Sequence, residues 1–128
     1  DIIDAIKSSG LSWYPSLSTD EFINVYRNIG AIVGNSSSGI HESSTFGIPA
    51  VNIGTRQQDR ERANNVIDVG YDKEEIKMGI EKALFDNAFK KLSKNTKNPY
   101  GEGDSAKKIV KILKTVSLKN IVQKRFYE

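Results

Sequence analysis

The chain has 128 residues, 38% of them hydrophobic and 27% charged, with a net charge of +3. That length suffices for one domain with a real core. The absence of cysteine and the single histidine, His41, exclude disulfides, thiol catalysis, cysteine–zinc sites and histidine metal clusters.

No apolar run approaches the roughly 20 residues of a membrane helix, and the opening residues show no secretory pattern. The expectation is a cytoplasmic protein without membrane contact. The chain starts at Asp1 and its only methionine is Met78, so it reads as a piece of a longer protein or a processed product. The charge is uneven. Seven basic residues (107, 108, 111, 114, 119, 124, 125) and one acid lie between Lys107 and Glu128, a balance of +6 that leaves −3 for the rest. A basic end can serve nucleic acid, or it can be the solvated side of an amphipathic helix. No basic–aromatic interleaving supports the former, and no nucleic-acid partner is expected.

Asp1 to Ser9 reads as a short helical piece, and Leu11 to Tyr14 as a short strand ended by Pro15. Ser18 and Glu21 have the spacing of a capping box, with Leu17 and Phe22 placed as a hydrophobic staple. Phe22, Val25, Tyr26 and Ile29 then form one helical face, and Gly30 ends it. "AIVG" (31–34) suits a parallel strand buried on both faces. "NSSSG" is a loop, Gly39 to Phe46 a helix stopped by Gly47, and Ala50 to Ile53 the next strand, which together make one βαβ unit.

Residues 55–65 are dense in arginine and amides, and "VIDV" (66–69) is a further strand. Asp72 caps a helix with Ile76, Ile80, Ala83 and Leu84 on its apolar face. Ala88 to Lys94 is a short helix and "KNPYGEG" a turn-rich loop. Asp104 caps a helix carrying Ala106, Ile109, Val110, Ile112 and Leu113, and Leu118 to Phe126 is weakly helical. Alternating strands and helices give an α/β class with a Rossmann-like parallel sheet. The chain reads as one domain over 1–128, truncated on its N-terminal side, with 117–128 as an end-helix tail.

A helix start leaves backbone N–H groups unpaired and carries a partial positive charge. Phosphate binds there when small residues let it approach. Ser36, Ser37, Ser38 and Gly39 therefore read as a phosphate cradle; a serine-rich turn with a capping serine is the plainer alternative. The loop is neither a Walker A motif nor GxGxxG. Glu42, further along the helix, can complement the helix dipole or accept from the two hydroxyls of a ribose. Arg56 follows the next parallel strand, so it falls on the rim of the same crevice, able to pair with phosphate, or is an ordinary surface arginine.

"GNSSSGIHESSTFGIPAVNIGTRQQDRERANNVI" (34–67) closely resembles the UDP-N-acetylglucosamine 2-epimerase family. "YPSLSTDEFINVY" (14–26) resembles the segment before that motif, and "NPYGEG" (98–103) resembles the family's NPYGDG loop, with Glu102 in place of aspartate. The resemblance runs from about Leu11 to Val116. Asn35-Ser36-Ser37-Ser38, with His41 before Glu42, and "GTRQ" (54–57) are similar to the hydrolysing branch, which releases UDP and a free mannosamine-type sugar for sialic-acid-like pathways.

The resemblance implies the C-terminal, UDP-holding half of a two-domain GT-B type fold. Ser36 and Ser37 would meet the diphosphate, Glu42 the ribose, Arg56 the UDP, and Leu17 would lie where the backbone meets uracil. Ser38 and Gly39 belong to the site on the physical argument alone. No cofactor or metal is implied, and His41 gains no role beyond a polar residue on the helix rim. The acid/base groups would lie in the N-terminal domain and upstream of this chain, so no catalytic residue is assigned here and the isolated chain is expected to be inactive. The expected partners are a UDP-sugar and that N-terminal domain, with homo-oligomerisation of the full-length protein open. A GT-B glycosyltransferase half and a non-enzymatic binding module are the alternatives.

Overall fold

A computed structural model describes residues 2–117. The Leu118–Phe126 expectation lies outside them. Three parallel strands form one open sheet in chain order: β1 (Ile32–Gly34), β2 (Ala50–Ile53) and β3 (Val66–Val69). Ile32 pairs with Ala50, and Ala50 with Val66. The helices are α1 (Ile2–Ser8), α2 (Thr19–Asn28), α3 (Ser38–Phe46), α4 (Lys73–Phe85), α5 (Asn87–Lys94) and α6 (Ser105–Thr115). This is the expected Rossmann-like α/β arrangement, and β1–α3–β2 is the expected βαβ unit.

Two helical glycines show which side each helix covers. A side chain at Gly39 of α3 would meet Ile32 and Ala50; one at Gly79 of α4 would meet Val51, Val69 and Ile67. Neighbouring strand residues point to opposite faces, so α3 and α4 sandwich the sheet. Ile40, Ile48, Ala50, Val51, Ala83 and Phe89 are buried between the layers. Asn65 is fully buried and its amide donates to the Ser43 hydroxyl at 2.8 Å and the Ile48 carbonyl at 2.7 Å.

The capping box forms: the Ser18 N–H donates to Glu21 Oε2 at 2.8 Å and the Glu21 N–H to Ser18 Oγ at 3.4 Å. The Ser18 hydroxyl, 2.7 Å from Glu21 Oε2, and then the Ser18 N–H lower the Glu21 carboxyl below its ordinary pKa. Gly47 closes α3 in the left-handed conformation, φ 65°, which costs a glycine nothing.

Several expectations need correction. Leu11 to Tyr14 is not a strand: Leu11 and Tyr14 are exposed and no described strand lies beside them to supply a ladder. β1 is not buried on both faces, for Val33 is 43% exposed. β1 is an edge strand, and α4 packs on β2 and β3 instead. Helix α2 ends at Asn28 with an extended Ile29 cap, not a left-handed glycine. Gly30 is tight for another reason: a side chain there would stand 3.2 Å from Leu84. Asp104 sits at the N-cap of α6 but makes no capping bond; it pairs with Lys108 at 3.0 Å. No residue of α6 is buried, so its apolar residues are exposed.

Candidate functional site

β1 ends at Gly34, whose φ of 145° lets the chain leave the strand at an angle that a side chain would oppose. Ser37 takes the N-cap position of α3 in helical geometry, and its hydroxyl makes no capping bond. The Ser36 hydroxyl takes the Ser38 N–H at a long 3.3 Å and lies 3.0 Å from the Ser38 hydroxyl. The Gly39 N–H is used by the Ser36 carbonyl at 3.1 Å. The N–H groups of Ser36 and Ser37 and the Ser37 hydroxyl have no partner among the described residues. The capping-serine alternative therefore accounts for only one long bond. What remains is an open helix start at the carboxyl end of a parallel strand, where open α/β sheets bind ligands.

A pocket of about 260 Å³ opens there, lined by residues 32–36, Gly39 and Val51. A larger groove, about 660 Å³, runs along β3 against α4, past Met78 and Gly79. Its walls are mainly apolar, whereas the serine loop combines unpaired N–H groups with hydroxyls, so the serine loop is the candidate site.

The loop after β2 is tied to this one. Arg56 Nη1 donates to Asn35 Oδ1 at 3.5 Å, the outer limit of a hydrogen bond. The buried Gln57 donates from Nε2 to the Asn35 carbonyl at 2.8 Å. Arg62 fastens that loop from behind, donating from Nη2 to the Gln57 carbonyl at 2.8 Å and from Nη1 to the Arg60 carbonyl at 2.6 Å. Its Nε pairs with Asp68 of β3 at 2.9 Å. Arg56 thus stands on the rim beside the serine loop, held by one weak bond.

Glu42 is half-buried, four residues after Ser38 and on the same helix face, with no partner among the described residues. Tyr26 of α2 lies against that face. It is 3% exposed, with its ring 4.4 Å from Phe22 and 5.4 Å from Phe46. Its buried hydroxyl completes no hydrogen bond among the described residues. Burial raises the Tyr26 phenol above its ordinary pKa; the nearby Ser38 hydroxyl opposes the rise and the Glu42 charge adds to it.

His41 is not merely a polar residue on the rim. Arg60 Nη1 lies 2.8 Å from His41 Nε2, and since arginine only donates, that nitrogen accepts. The His41 ring stacks on Tyr100 at 4.1 Å and 11°. Asn98 donates to the His41 carbonyl at 3.1 Å and to Thr45 Oγ1 at 2.7 Å, and the Tyr100 hydroxyl to the Glu61 carbonyl at 2.9 Å. The NPYGEG loop is thereby clamped to α3 and to the loop after β2.

The sequence profile of the family described as UDP-N-acetylglucosamine 2-epimerase matches residues 1–114. The chain belongs to this family. It is 40% identical over 98 residues to a UDP-N,N'-diacetylbacillosamine 2-epimerase (hydrolyzing) of Legionella pneumophila, covering 77% of this chain and 25% of that protein. It is 39% identical over 116 residues to a GDP/UDP-N,N'-diacetylbacillosamine 2-epimerase (hydrolyzing) of Campylobacter jejuni, covering 90% of this chain and 29% of that protein. An Escherichia coli polysialic acid biosynthesis protein P7 is 32% identical over 114 residues, covering 88% of this chain and 29% of that protein. The chain thus spans between a quarter and a third of the curated relatives' length.

In this member of the epimerase family, Ser36 and Gly39 line the pocket, Ser37 and Ser38 continue the same loop into α3 without lining it, and Arg56 reaches Asn35 beside it. Glu42 lies one helical turn behind it. Leu17, half-buried before the α2 cap, is not part of the pocket lining. Sequence reasoning missed Gln57, Arg62 and Asn98 as fasteners; the density of arginine and amide over 55–65 signals the first two, and the NPYGEG loop the third. No group of three or more His, Cys, Asp or Glu among the described residues could hold a metal ion. No described helix is long and apolar enough to cross a membrane.

Proposed function

We propose that this chain is the UDP-holding part of a hydrolysing UDP-sugar 2-epimerase. The observation that carries the reading is the open start of α3, with free Ser36 and Ser37 N–H groups and a loosely held arginine on its rim. A diphosphate seated there accepts those N–H groups and the Ser37 hydroxyl. Arg56 releases its 3.5 Å bond to Asn35 and forms a charge-assisted pair with the phosphate. Glu42, without a competing partner, accepts from the ribose hydroxyls. Leu17 stands on the side of the base. The hydrolysing relatives named above favour that branch over the non-hydrolysing one.

In the whole protein, the C2 proton of UDP-N-acetylglucosamine or a related UDP-sugar passes to a base as the C1–O bond to UDP breaks. UDP leaves with that electron pair and a C1–C2 double bond forms. Water then adds its oxygen to C1 while a proton returns to C2 from the other face, giving a free mannosamine-type sugar. This chain holds the leaving group, stabilising the charge that develops on it. The acid/base groups belong to the N-terminal domain of a GT-B type parent and to the start of its C-terminal half, upstream of this chain, and the chain alone carries no epimerase activity.

Calorimetric titration of the purified chain with UDP tests this. Saturable binding is expected, weakened by on the order of 1–3 kcal/mol in Glu42→Ala. Equal affinity in wild type and Glu42→Ala would refute the ribose role. A folded chain that ignores UDP in the presence of its N-terminal domain would limit the family likeness to fold. With the full-length protein, release of UDP and free sugar in water, without transfer to an acceptor, separates the epimerase from a glycosyltransferase.

A further inference from the structure

His41 stands in the first turn of α3, and two loops close on its imidazole. Tyr100 fixes the plane of the ring, stacked on it at 4.1 Å and 11°, and is itself anchored through its hydroxyl to the Glu61 carbonyl at 2.9 Å. Arg60 fixes the edge, with Nη1 2.8 Å from His41 Nε2. Arginine only donates, so Nε2 is bare and the proton of the neutral ring lies on Nδ1. From Arg60 the contacts run back toward Arg56. The Arg60 N–H donates to the Gln57 carbonyl at 3.4 Å, and Arg62 donates to the carbonyls of both residues. Gln57 in turn holds the Asn35 carbonyl at 2.8 Å. The stretch 57–60 is thus pinned at one end to the loop before α3 and at the other to α3 itself. Between the two anchors Asp59 has a φ of 63°, a left-handed conformation that a side chain disfavours and that persists where its surroundings fix it. Arg56 adjoins the Gln57 anchor, and its side chain makes the 3.5 Å bond to Asn35.

We propose that His41 is a positioning residue for Arg56: as the Nδ1–H tautomer it accepts from Arg60, and so holds the loop after β2 in the shape that presents Arg56 to the phosphates at the open start of α3. The inference rests on the UDP reading above. His41 needs no contact with the ligand in this role. Without the Arg60 anchor the Asp59 bend relaxes, and the loop must be ordered at the moment of binding, which weakens affinity. With it, the arginine is placed before the ligand arrives.

The chain holds one histidine, so the nitrogen NMR spectrum of its imidazole has a single source. In the ligand-free chain, above the histidine titration range, Nδ1 is expected to be protonated and Nε2 bare, and Arg60→Met to shift the ring toward the Nε2–H form. A protonated Nε2 in the wild type overturns the contact. UDP and inorganic pyrophosphate are then titrated into wild type, His41→Phe, His41→Gln, Arg56→Met and the double variant of His41→Phe with Arg56→Met. His41→Phe keeps a ring on Tyr100 and loses the acceptor; His41→Gln keeps an acceptor near the Nε2 position. The expected result is a loss of about tenfold for both ligands in His41→Phe, a smaller loss in His41→Gln, and no further loss when His41→Phe is added to Arg56→Met. Unchanged affinity in His41→Phe, a loss confined to UDP, equal losses in the two His41 variants, or losses that multiply in the double variant each overturn the positioning role. A wild-type chain that binds neither ligand overturns the nucleotide reading on which the role rests, and the nitrogen spectrum then reports the His41–Arg60 contact by itself.

Discussion

Helices α3 and α4 occupy equivalent places, each following a parallel strand and each packing a glycine onto one face of the sheet, yet their N-termini are treated in opposite ways. In α4 the Asp72 carboxylate takes the Glu74 N–H at 2.9 Å and the Glu75 N–H at 3.1 Å. The helix supplies its own anion and is finished. In α3 the N-cap serine takes nothing, and the preceding loop leaves two N–H groups and a hydroxyl unclaimed. A helix that neutralises its own dipole has no use for an external anion; one that does not leaves donors that an anion can claim. The Asn35 loop is braced by Gln57 and Arg62, so the open end is held in shape rather than left to collapse.

The largest expected effect comes from making α3 resemble α4. Ser37→Asp places a carboxylate where the proposed diphosphate sits. UDP affinity should fall by at least tenfold, on the order of 2 kcal/mol, through like-charge repulsion and loss of free donors, while the melting temperature holds or rises. Titration together with a thermal scan checks both. Retained affinity would mean that the phosphates bind elsewhere.

The two glycines sharpen the comparison next. An added Cβ at Gly79 would stand 3.0 Å from Val51 and 3.1 Å from Val69, tighter than ordinary contact, whereas one at Gly39 would stand 3.8 Å from Ile32 and 3.9 Å from Ala50. Gly79→Ala should therefore destabilise, since the overpacking cost of about 1–3 kcal/mol exceeds the helix-propensity gain. Gly39→Ala should be neutral or stabilising by up to about 1 kcal/mol. Denaturant melts of the two variants decide. Equal effects would show that the two helices do not press on the sheet differently.

Smaller again is the exchange of caps. Asp72→Ala should cost about 1 kcal/mol of stability and leave UDP binding alone. Ser37→Ala should cost almost no stability, because its hydroxyl has no partner, but should weaken UDP. If Ser37→Ala destabilises as much as Asp72→Ala, Ser37 caps after all and the contrast between the helices falls.

The sheet and the start of α2 are legible in the sequence. Short apolar runs bounded by turn residues located all three strands, and Ser18 with Glu21 announced the start of α2, because these signals are local. What stayed hidden was non-local. Leu11 to Tyr14 has strand composition but no neighbour to pair with. The exposure of Val33 depends on which strand α4 covers, a fact of topology. Gly79 owes its place to Val51 and Val69 packed against it, which no local pattern shows. Ser37 has the right identity for a cap, and only backbone geometry shows that it does not act as one. Gln57, Arg62, His41 and Asn98 are separated in sequence from what they hold, and periodicity carries no such information. Tyr26 combines both kinds: its ring belongs to a predictable apolar face, while the burial of its hydroxyl is a product of packing.

The smallest effect is on the alkaline side, where Tyr26 links α2 to the open helix. Burial first, and the Glu42 charge in addition, raise the Tyr26 phenol above its ordinary value of 10.0, with Ser38 acting the other way. A group whose folded pKa lies above its unfolded one binds more protons in the folded state between the two values. Its contribution is complete below the unfolded pKa and is lost as pH rises through the folded one. Stability should thus decline above about pH 10 more steeply in wild type than in Tyr26→Phe, which has no proton to release there. Glu42→Gln should soften the decline without abolishing it, because burial is the larger cause and the charge the smaller. Denaturant midpoints at several alkaline pH values, compared across the three proteins, measure this. Identical pH profiles for wild type and Tyr26→Phe would place the phenol in contact with water, and the packing of α2 on α3 would not seal it.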